Sequence, residues 1–243
     1  MKARRDRYDE NYFNSVGDRL PLYRGIITRR YANLVREIAP GGGRLLELGC
    51  GDGRLLHALA GQYALTGIDI SEHAIARARR LVPSANLRVG DIATCATDAH
   101  YDVVLALNVL EHVPDPRAVM LRVREMLAEG GTFIFAVPNK HGRVGRALVR
   151  FMDFMDRTHI SSFTREHWLQ LADELGFEQR LVLNATWFGP TRADFARSLA
   201  PILIVALYRQ RAGQASSDEP PGDANDIAMV MADYPELLTG QFE

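Results

Sequence analysis

The segment Leu45–Arg54 constrains the fold of this chain more than any other. It begins with a short apolar run that one acid, Glu47, interrupts, and three glycines follow at alternate positions, Gly49, Gly51 and Gly53. Apolar residues then recur at helical spacing, so the segment predicts a buried strand, a tight turn and the start of a helix. Such a turn leaves backbone N–H groups pointing outward, and the missing Cβ atoms let a ligand approach the backbone closely.

An acid ends the next apolar run, Ala64–Ile70. Asp69 lies about 20 residues after the first glycine, where a carboxylate can accept hydrogen bonds from ribose hydroxyls. The glycines have the pattern G-x-G-x-G, and Arg54 stands where the dinucleotide fingerprint G-x-G-x-x-G has its last glycine. A glycine turn or a loop acid alone would be ordinary, but together they predict a nucleoside ligand.

Strands and helices alternate through most of the chain. We expect strands at residues 44–49, 64–70, 86–90, 101–107 and 131–137, and helices at 53–61, 71–82 and 115–128. An amphipathic helix at 25–38 precedes them, and a helix capped by Thr164 and strands at 178–186 and 202–208 follow. This alternation predicts an α/β protein with a doubly wound parallel sheet.

Polar residues fall at the carboxyl ends of the expected strands. Asp69 ends the second strand, Asp91 follows the third, and the segment Asn108–His112 follows the fourth. Ligands of open parallel sheets bind outside the carboxyl ends of the strands. We therefore expect the functional site at this edge.

These motifs resemble those of the class I S-adenosylmethionine-dependent methyltransferases. The likeness rests first on Leu45–Arg54 and Gly67–Asp69, and it continues in the family's order through Gly90-Asp91, Tyr101–Val104, Asn108–Val113 and Gly130-Gly131. It spans roughly residues 8–208 and is closest to the small-molecule branch that includes the ubiquinone-biosynthesis O-methyltransferases. The resemblance implies a Rossmann-like, mostly parallel sheet of seven strands with an antiparallel last strand.

The resemblance also implies S-adenosylmethionine as the cofactor. Asp69 would hold the ribose, Asp91 and Ile92 would meet the adenine edge, Asn108 would lie beneath the sulfonium, and Tyr12 would belong to an N-terminal lid over the cofactor. The complete set of expected cofactor-binding residues is Glu47, Gly49, Gly51, Gly53, Asp69, Ile70, Asp91, Ile92, Asn108 and Tyr12.

The expected reaction is an in-line displacement that moves a methyl group to oxygen or nitrogen of a small-molecule acceptor. Such a nucleophile could need a general base, and histidine suits that role near neutral pH. His112 and His159 are the candidate catalytic residues, although His112 could serve only to fix its loop by hydrogen bonds. We expect no metal, because the sequence spacing gives no Asp/Asp/Asn set.

Composition favours an ordinary globular protein. The chain has 243 residues, of which 47% are hydrophobic and 24% charged, and its net charge is -1. That balance gives no general attraction to nucleic acid or to an anionic membrane. We expect neither a secretory signal nor a membrane-spanning helix, and we expect Cys50 and Cys95 to be reduced thiols in a cytoplasmic protein.

Three regions are expected. Residues 1–40 form an N-terminal lid and helix, residues 41–212 form the cofactor-binding methyltransferase domain, and residues 213–243 form an acidic, flexible tail. The domain contains a basic amphipathic insertion near 140–163, which could be a lid over the substrate or could contact an anionic membrane.

Other functions fit parts of the sequence. The glycine spacing and the lack of a Tyr-x-x-x-Lys motif disfavour a nicotinamide dehydrogenase, and the balanced charge and Val137-Pro138-Asn139 disfavour a nucleic-acid methyltransferase. A non-catalytic cofactor-binding scaffold of the same fold stays open, as does a methyltransferase with a lipid-like acceptor at a membrane surface. The acceptor, the methylated atom and the oligomeric state are open too.

Overall fold

The computed structural model describes residues 21–95, 99–140, 147, 149–150, 158–186, 189–190 and 202–209. The helices within these residues are α1 (Pro21–Ile38), α2 (Arg54–Leu59), α3 (Glu72–Leu81), α4 (Pro116–Met126) and α5 (Arg165–Glu174). The strands are β1 (Gly43–Leu48), β2 (Tyr63–Asp69), β3 (Asn86–Val89), β4 (Tyr101–Leu107), β5 (Leu127–Pro138), β6 (Phe177–Thr186), β7 (Gly189–Pro190) and β8 (Ile202–Arg209).

The chain divides into two compact units. The first comprises Met1–Leu107 and Arg122–Phe133, and the second comprises Asn108–Leu121 and Ile134–Glu243. Strand β5 contributes its first part to the first unit and its second part to the second.

The first unit contains a parallel sheet with β1 in its interior. Strand β1 pairs in parallel with β2 on one side and with β4 on the other, and β2 pairs in parallel with β3. Leu45 of β1 is level with Leu65 of β2 and with Val103 of β4. The last four residues of β1 are all buried, which explains why this strand has an apolar run rather than strict alternation.

Helices α2 and α3 follow β1 and β2, as the alternating pattern predicts. Ser71 caps α3, because its Oγ accepts a hydrogen bond from the backbone N–H of Ala74 at 3.3 Å. Ala74, Ile75 and Ala78 form the buried face of the helix. The predicted N-cap is therefore confirmed.

Helix α1 begins at Pro21, four residues before the predicted start at residue 25. Proline favours the first turn of a helix, because its fixed φ suits that position and its missing N–H would lack a helical partner there. The Tyr63 hydroxyl donates to the carbonyl of Ala39 at 2.7 Å, and Ala32 and Val35 are buried. These contacts hold the C-terminal half of α1 within the first unit.

The second unit contains the antiparallel strands. Strands β6 and β8 run antiparallel with Val182 level with Val205, and the short β7 also pairs antiparallel with β6. Thr164 caps α5 by accepting from the backbone N–H of His167 at 3.3 Å. Trp168 of α5 is buried 5.8 Å from the ring of Phe135. The α/β fold class and the antiparallel last strand are confirmed.

One predicted boundary is wrong. The sequence predicts a helix over 115–128 and a strand over 131–137, but α4 ends at Met126 and β5 begins at Leu127. Leu127 is fully buried, so tertiary packing takes it into the sheet although its propensity would also suit a helix. Asp115 starts α4, since its Oδ1 accepts from the backbone N–H of Ala118 at 3.0 Å.

Within the described residues, no helix combines the length and the apolar character that crossing a membrane requires. The region expected as an N-terminal lid, up to residue 20, the tail at 213–243 and most of the insertion near 140–163 lie outside the described residues.

Candidate active site

The glycine turn follows β1 as predicted. Gly49, Gly51 and Gly53 have φ values of 70°, 51° and 80°, in the left-handed region that disfavours residues with a Cβ. Gly53 also has a packing reason, because a Cβ built there would lie 2.9 Å from the Cβ of Ala78 in α3. The turn therefore needs glycine both for its backbone shape and for the close approach of α2 to α3.

Asp69 joins the turn to the end of β2. Its Oδ2 accepts from the backbone N–H of Gly51 at 2.8 Å, and its Oδ1 accepts from that of Ser71 at 2.9 Å. Burial raises the pKa of Asp69, while hydrogen bonds from Ser71 and Gly51 oppose that rise. Because each carboxylate oxygen has a second lone pair, Asp69 can still accept hydrogen bonds from a ligand diol.

Glu47 is the least satisfied polar group of this region. It is 7% exposed, and its Oε2 is buried without a hydrogen-bond partner among the described residues. Burial raises the pKa of Glu47 well above its ordinary range, and the negative charges of Asp69 and Asp52 raise it further. A buried acceptor without a partner costs about 1–3 kcal/mol. A ligand that brings N–H donors or a positive charge would remove this cost, so Glu47 fits the methionine end of the predicted cofactor.

Asp52 uses its carboxylate within the protein. Its Oδ2 lies 2.9 Å from Nε of Arg54 and 3.8 Å from a terminal nitrogen of Arg77. The residue is 7% exposed, so these ion pairs compensate a largely buried charge. They hold the outer side of the glycine turn between α2 and α3.

Asp91 and Ile92 form a turn beside the end of β2. The carboxylate of Asp91 accepts from the backbone N–H of Ala93 at 2.9 Å, and Ile92 is 8% exposed. The backbone N–H of Gly90 donates to the carbonyl of Asp69 at 2.9 Å, which links the two strand ends. The structure thus brings Asp69, Asp91 and their neighbours Ile70 and Ile92 to one edge, as the sequence predicts. Tyr12 lies outside the described residues.

Asn108 belongs to the second unit and has an unusual backbone. Its φ is 54°, the only positive value for a residue other than glycine within the described residues. Its backbone N–H donates to the carbonyl of Ala136 at 2.9 Å, and its side chain is exposed. Asparagine tolerates this conformation better than most residues, and such strained positions cluster at functional sites.

The two candidate catalytic histidines are neighbours in the second unit. The ring centroids of His112 and His159 lie 4.8 Å apart at an angle of 62°. Nδ1 of His112 is 2.9 Å from the hydroxyl oxygen of Thr158, and Nε2 is 3.9 Å from Oε1 of Glu111. No local pattern in the sequence indicates this pairing, because the two histidines are far apart along the chain.

Backbone contacts fix the segment that carries His159. The backbone N–H groups of Ile160 and Ser161 both donate to the carbonyl of Glu111 at 2.9 Å. The Ser161 hydroxyl donates to the carbonyl of Val113 at 2.5 Å. These bonds explain how a residue near the end of the insertion comes to lie beside the segment after β4.

Sequence reasoning missed two members of this cluster, Glu111 and Thr158. Glu111 is 1% exposed, and one oxygen of Glu111 and one ring nitrogen of each histidine lie within 4.8 Å of one another. One carboxylate and two imidazoles are a donor set that a divalent transition metal could bind. That no metal is needed therefore remains a prediction.

Comparison with known proteins gives the family. A family model described as a methyltransferase domain matches residues 23–182. The chain belongs to this methyltransferase family. The match runs from α1 into β6, and so it contains the glycine turn, Asp69 and both histidines. The resemblance seen in the motifs is confirmed at the level of the family.

Relatives and solved structures agree with this result. The ubiquinone biosynthesis O-methyltransferase of Pseudomonas syringae pv. tomato is 30% identical over 189 residues, which cover 69% of this chain and 78% of the relative. The protein of the same name from Coxiella burnetii is 30% identical over 138 residues, or 54% of this chain, and the match spans only 58% of that relative's length. The magnesium protoporphyrin IX methyltransferase of Synechocystis PCC 6803, with bound SAH, is 18% identical with a TM-score of 0.65 and coverages of 86% and 99%. At that identity the structural likeness shows the fold alone.

Proposed function

We propose that this protein is an S-adenosylmethionine-dependent methyltransferase that methylates an oxygen or nitrogen atom of a small-molecule acceptor. Membership of the methyltransferase family supports the reaction class. The observation that carries the proposal is the bond from the Gly51 N–H to Asp69, which fixes a glycine turn beside a carboxylate with free lone pairs. A nucleoside with an amino-acid tail needs this combination.

The chain's own residues have distinct proposed roles toward the cofactor. Asp69 accepts hydrogen bonds from the ribose diol, and the glycine turn lets the methionine end lie against the backbone. Glu47 balances the positive charge of that end. When bound, S-adenosylmethionine supplies an electrophilic methyl group on a sulfonium. The other proposed contacts are those of Ile70, Asp91 and Ile92 with the adenosine, Asn108 with the sulfonium region and Tyr12 with the outer face of the cofactor.

We propose that His112 accepts the proton of the acceptor nucleophile, with His159 on the substrate side. When Nδ1–H of His112 donates to the Thr158 hydroxyl, its Nε2 carries the lone pair that accepts the proton. The Glu111 carboxylate, 3.9 Å from Nε2, would then stabilise the imidazolium that forms. A metal held by the same side chains is the alternative, and chelation distinguishes the two.

The acceptor remains a proposal at the level of chemical class. A small molecule fits the branch that the chain resembles, and contact with a membrane surface would follow if the acceptor were lipid-like. Cys50 and Cys95 are free thiols, which supports a proposed cytoplasmic location. The division into a lid at 1–40, a domain at 41–212 and a tail at 213–243 is likewise proposed, and limited proteolysis with mass spectrometry tests it.

Calorimetric titration with S-adenosylmethionine and S-adenosylhomocysteine tests the cofactor. We compare the wild type with Asp69→Ala, and we use Asp173→Ala as the control because Asp173 is an exposed acid of α5. Micromolar binding to the wild type and the control, lost in Asp69→Ala, is the expected result. Absence of binding to a folded wild type would refute the proposal. Methyl transfer from labelled cofactor to a panel of phenols, amines and carboxylic acids then separates an enzyme from a non-catalytic scaffold.

A further inference from the structure

A concave surface in the first unit is lined by residues other than the proposed cofactor contacts. It is a cleft of about 430 Å³ among α1, α2 and the end of α3. Its walls include three arginines, Arg29, Arg36 and Arg54, together with His57. None of the described residues that line the cleft is acidic. The described lining of the cleft therefore contains basic and no acidic side chains, although the whole chain has a net charge of -1.

Arg36 is held rigidly in this wall. One terminal nitrogen donates to the side-chain oxygen of Asn33 at 3.1 Å, and the other donates to the carbonyl of Ala58 in α2. Both acceptors are neutral, so these bonds position the guanidinium without cancelling its charge. A preorganised cation of this kind costs little further entropy when an anion binds.

Arg54 can donate hydrogen bonds to a ligand in the cleft. Its described contact joins Nε to Asp52 at 2.9 Å, and its side chain is 38% exposed. The two terminal nitrogens of the guanidinium make no described contact and can form a fork toward an oxyanion. Asp52 also lies 3.8 Å from a terminal nitrogen of Arg77, so its carboxylate is shared between two guanidiniums.

We propose that this cleft binds a phosphate monoester with a small organic body. Guanidinium groups favour a doubly charged oxyanion, because their planar fork of N–H groups can donate parallel hydrogen bonds to it. The cleft is larger than a phosphate alone needs and has the size of an ordinary small-molecule site. Ala32 and Leu81 supply apolar wall, and Leu81 is 39% exposed there. The organic part of the ligand would cover this exposed side chain.

The proposed anion site and the proposed cofactor site use different residues. The cleft uses the outer side of α2, whereas the proposed cofactor contacts are with the turn before it and with Asp69. Loss of S-adenosylmethionine binding in Asp69→Ala would leave the anion site intact. Loss of anion binding in Arg29→Gln would likewise say nothing about the cofactor, since Arg29 lies on α1 and not at the glycine turn.

Calorimetric titration with phenyl phosphate, and with inorganic phosphate for comparison, tests the site. We compare the wild type with Arg29→Gln and Arg54→Gln, and with Arg124→Gln as the control because Arg124 is exposed on α4 and lies outside the cleft. Each cleft variant is expected to lower the affinity for phenyl phosphate about tenfold or more, since each removes a charge-assisted hydrogen-bonding group. The control is expected to bind as the wild type does.

Thermal unfolding followed by circular dichroism confirms that every variant is folded before titration. Two titration results count against the site: no binding of phenyl phosphate to the folded wild type, or equal binding by the wild type and both cleft variants. Either result overturns the proposal if the protein also fails to bind vesicles that contain phosphatidic acid. Cosedimentation with vesicles that contain phosphatidic acid, against pure phosphatidylcholine, supplies that second arm. Binding of phenyl phosphate assigns a free phosphomonoester, and arginine-dependent binding to phosphatidic acid vesicles alone assigns a lipid headgroup.

Discussion

Glu47→Gln is expected to change the pH dependence of stability and the cofactor affinity together. The raised pKa of buried Glu47 means that the folded protein retains a proton after the unfolded chain has lost it. The folded state then binds up to one more proton than the unfolded state. The free energy of unfolding of the wild type therefore falls by up to about 1.4 kcal/mol per pH unit from this group. This fall begins near the ordinary glutamate pKa of about 4.3 and ends at the raised pKa of Glu47 in the folded protein.

The glutamine variant lacks this titration but keeps the shape of the side chain. Both proteins are unfolded in urea at pH values of about 5, 6 and 7. The free energy of unfolding of the variant should rise relative to that of the wild type by up to about 1.4 kcal/mol for each pH unit. Glu125→Gln is the matched control, because Glu125 is exposed on α4 and should follow the wild type. Parallel stability curves for wild type and Glu47→Gln would refute the interpretation of Glu47 as a buried acid with a raised pKa.

The same variant should bind S-adenosylmethionine more weakly. Loss of a charge-assisted interaction costs about 1.5–3 kcal/mol, which corresponds to roughly a tenfold to hundredfold weaker affinity. Binding of a cation beside Glu47 should also release a proton from the wild type at pH values within the range where the folded protein retains it. Calorimetry in buffers with different ionisation enthalpies measures that release, and an unchanged affinity together with no proton release would remove Glu47 from the proposed cofactor site.

Other predictions concern the fold and the acceptor side. Gly67→Ala should lower the free energy of unfolding by about 1–3 kcal/mol in urea titrations, because the new Cβ would lie 2.7 Å from its nearest side-chain atom; unchanged stability would contradict the packing. Ser71→Ala removes the cap of α3 and should cost about 1 kcal/mol in the same assay, while Ser71→Thr should restore most of it. Thr158→Val should lower kcat with little change in KM. His112→Ala should lower kcat further, by a factor of about 10² or more. Full activity in His112→Ala would exclude His112 as the base. Treatment with EDTA followed by gel filtration should leave turnover unchanged, and a loss that Mg²⁺ or Zn²⁺ restores would instead assign a metal to the cluster of Glu111 and the two histidines.

Local patterns predicted the elements around the glycine turn correctly. The strand before Gly49 and the helix after Gly53 follow from a short apolar run, left-handed glycines and helical spacing, all within a few residues. The caps at Ser71 and Thr164 are local as well, because each side chain bonds the backbone three residues later. Asp69 could be singled out because it ends a strand that runs parallel to β1.

The cluster of His112 and His159 was only partly predictable. Both histidines could be proposed from their chemistry, but their contact depends on backbone bonds from the segment at Ile160 to the carbonyl of Glu111. The start of β5 at Leu127 was also missed, since burial in the sheet outweighs the helical propensity of a leucine.

The sequence by itself determined the elements whose causes are local: the glycine turn, the capped helices, the parallel strands and the acid at the end of β2. Tertiary structure alone decided three features. It leaves Oε2 of Glu47 buried without a partner among the described residues, it brings His112 beside His159, and it gathers arginines from α1 and α2 around one cleft. The physical reason is the same in each case. Burial, pairing and charge density depend on which distant side chains share a space, and that depends on how the elements pack rather than on the order of neighbouring residues.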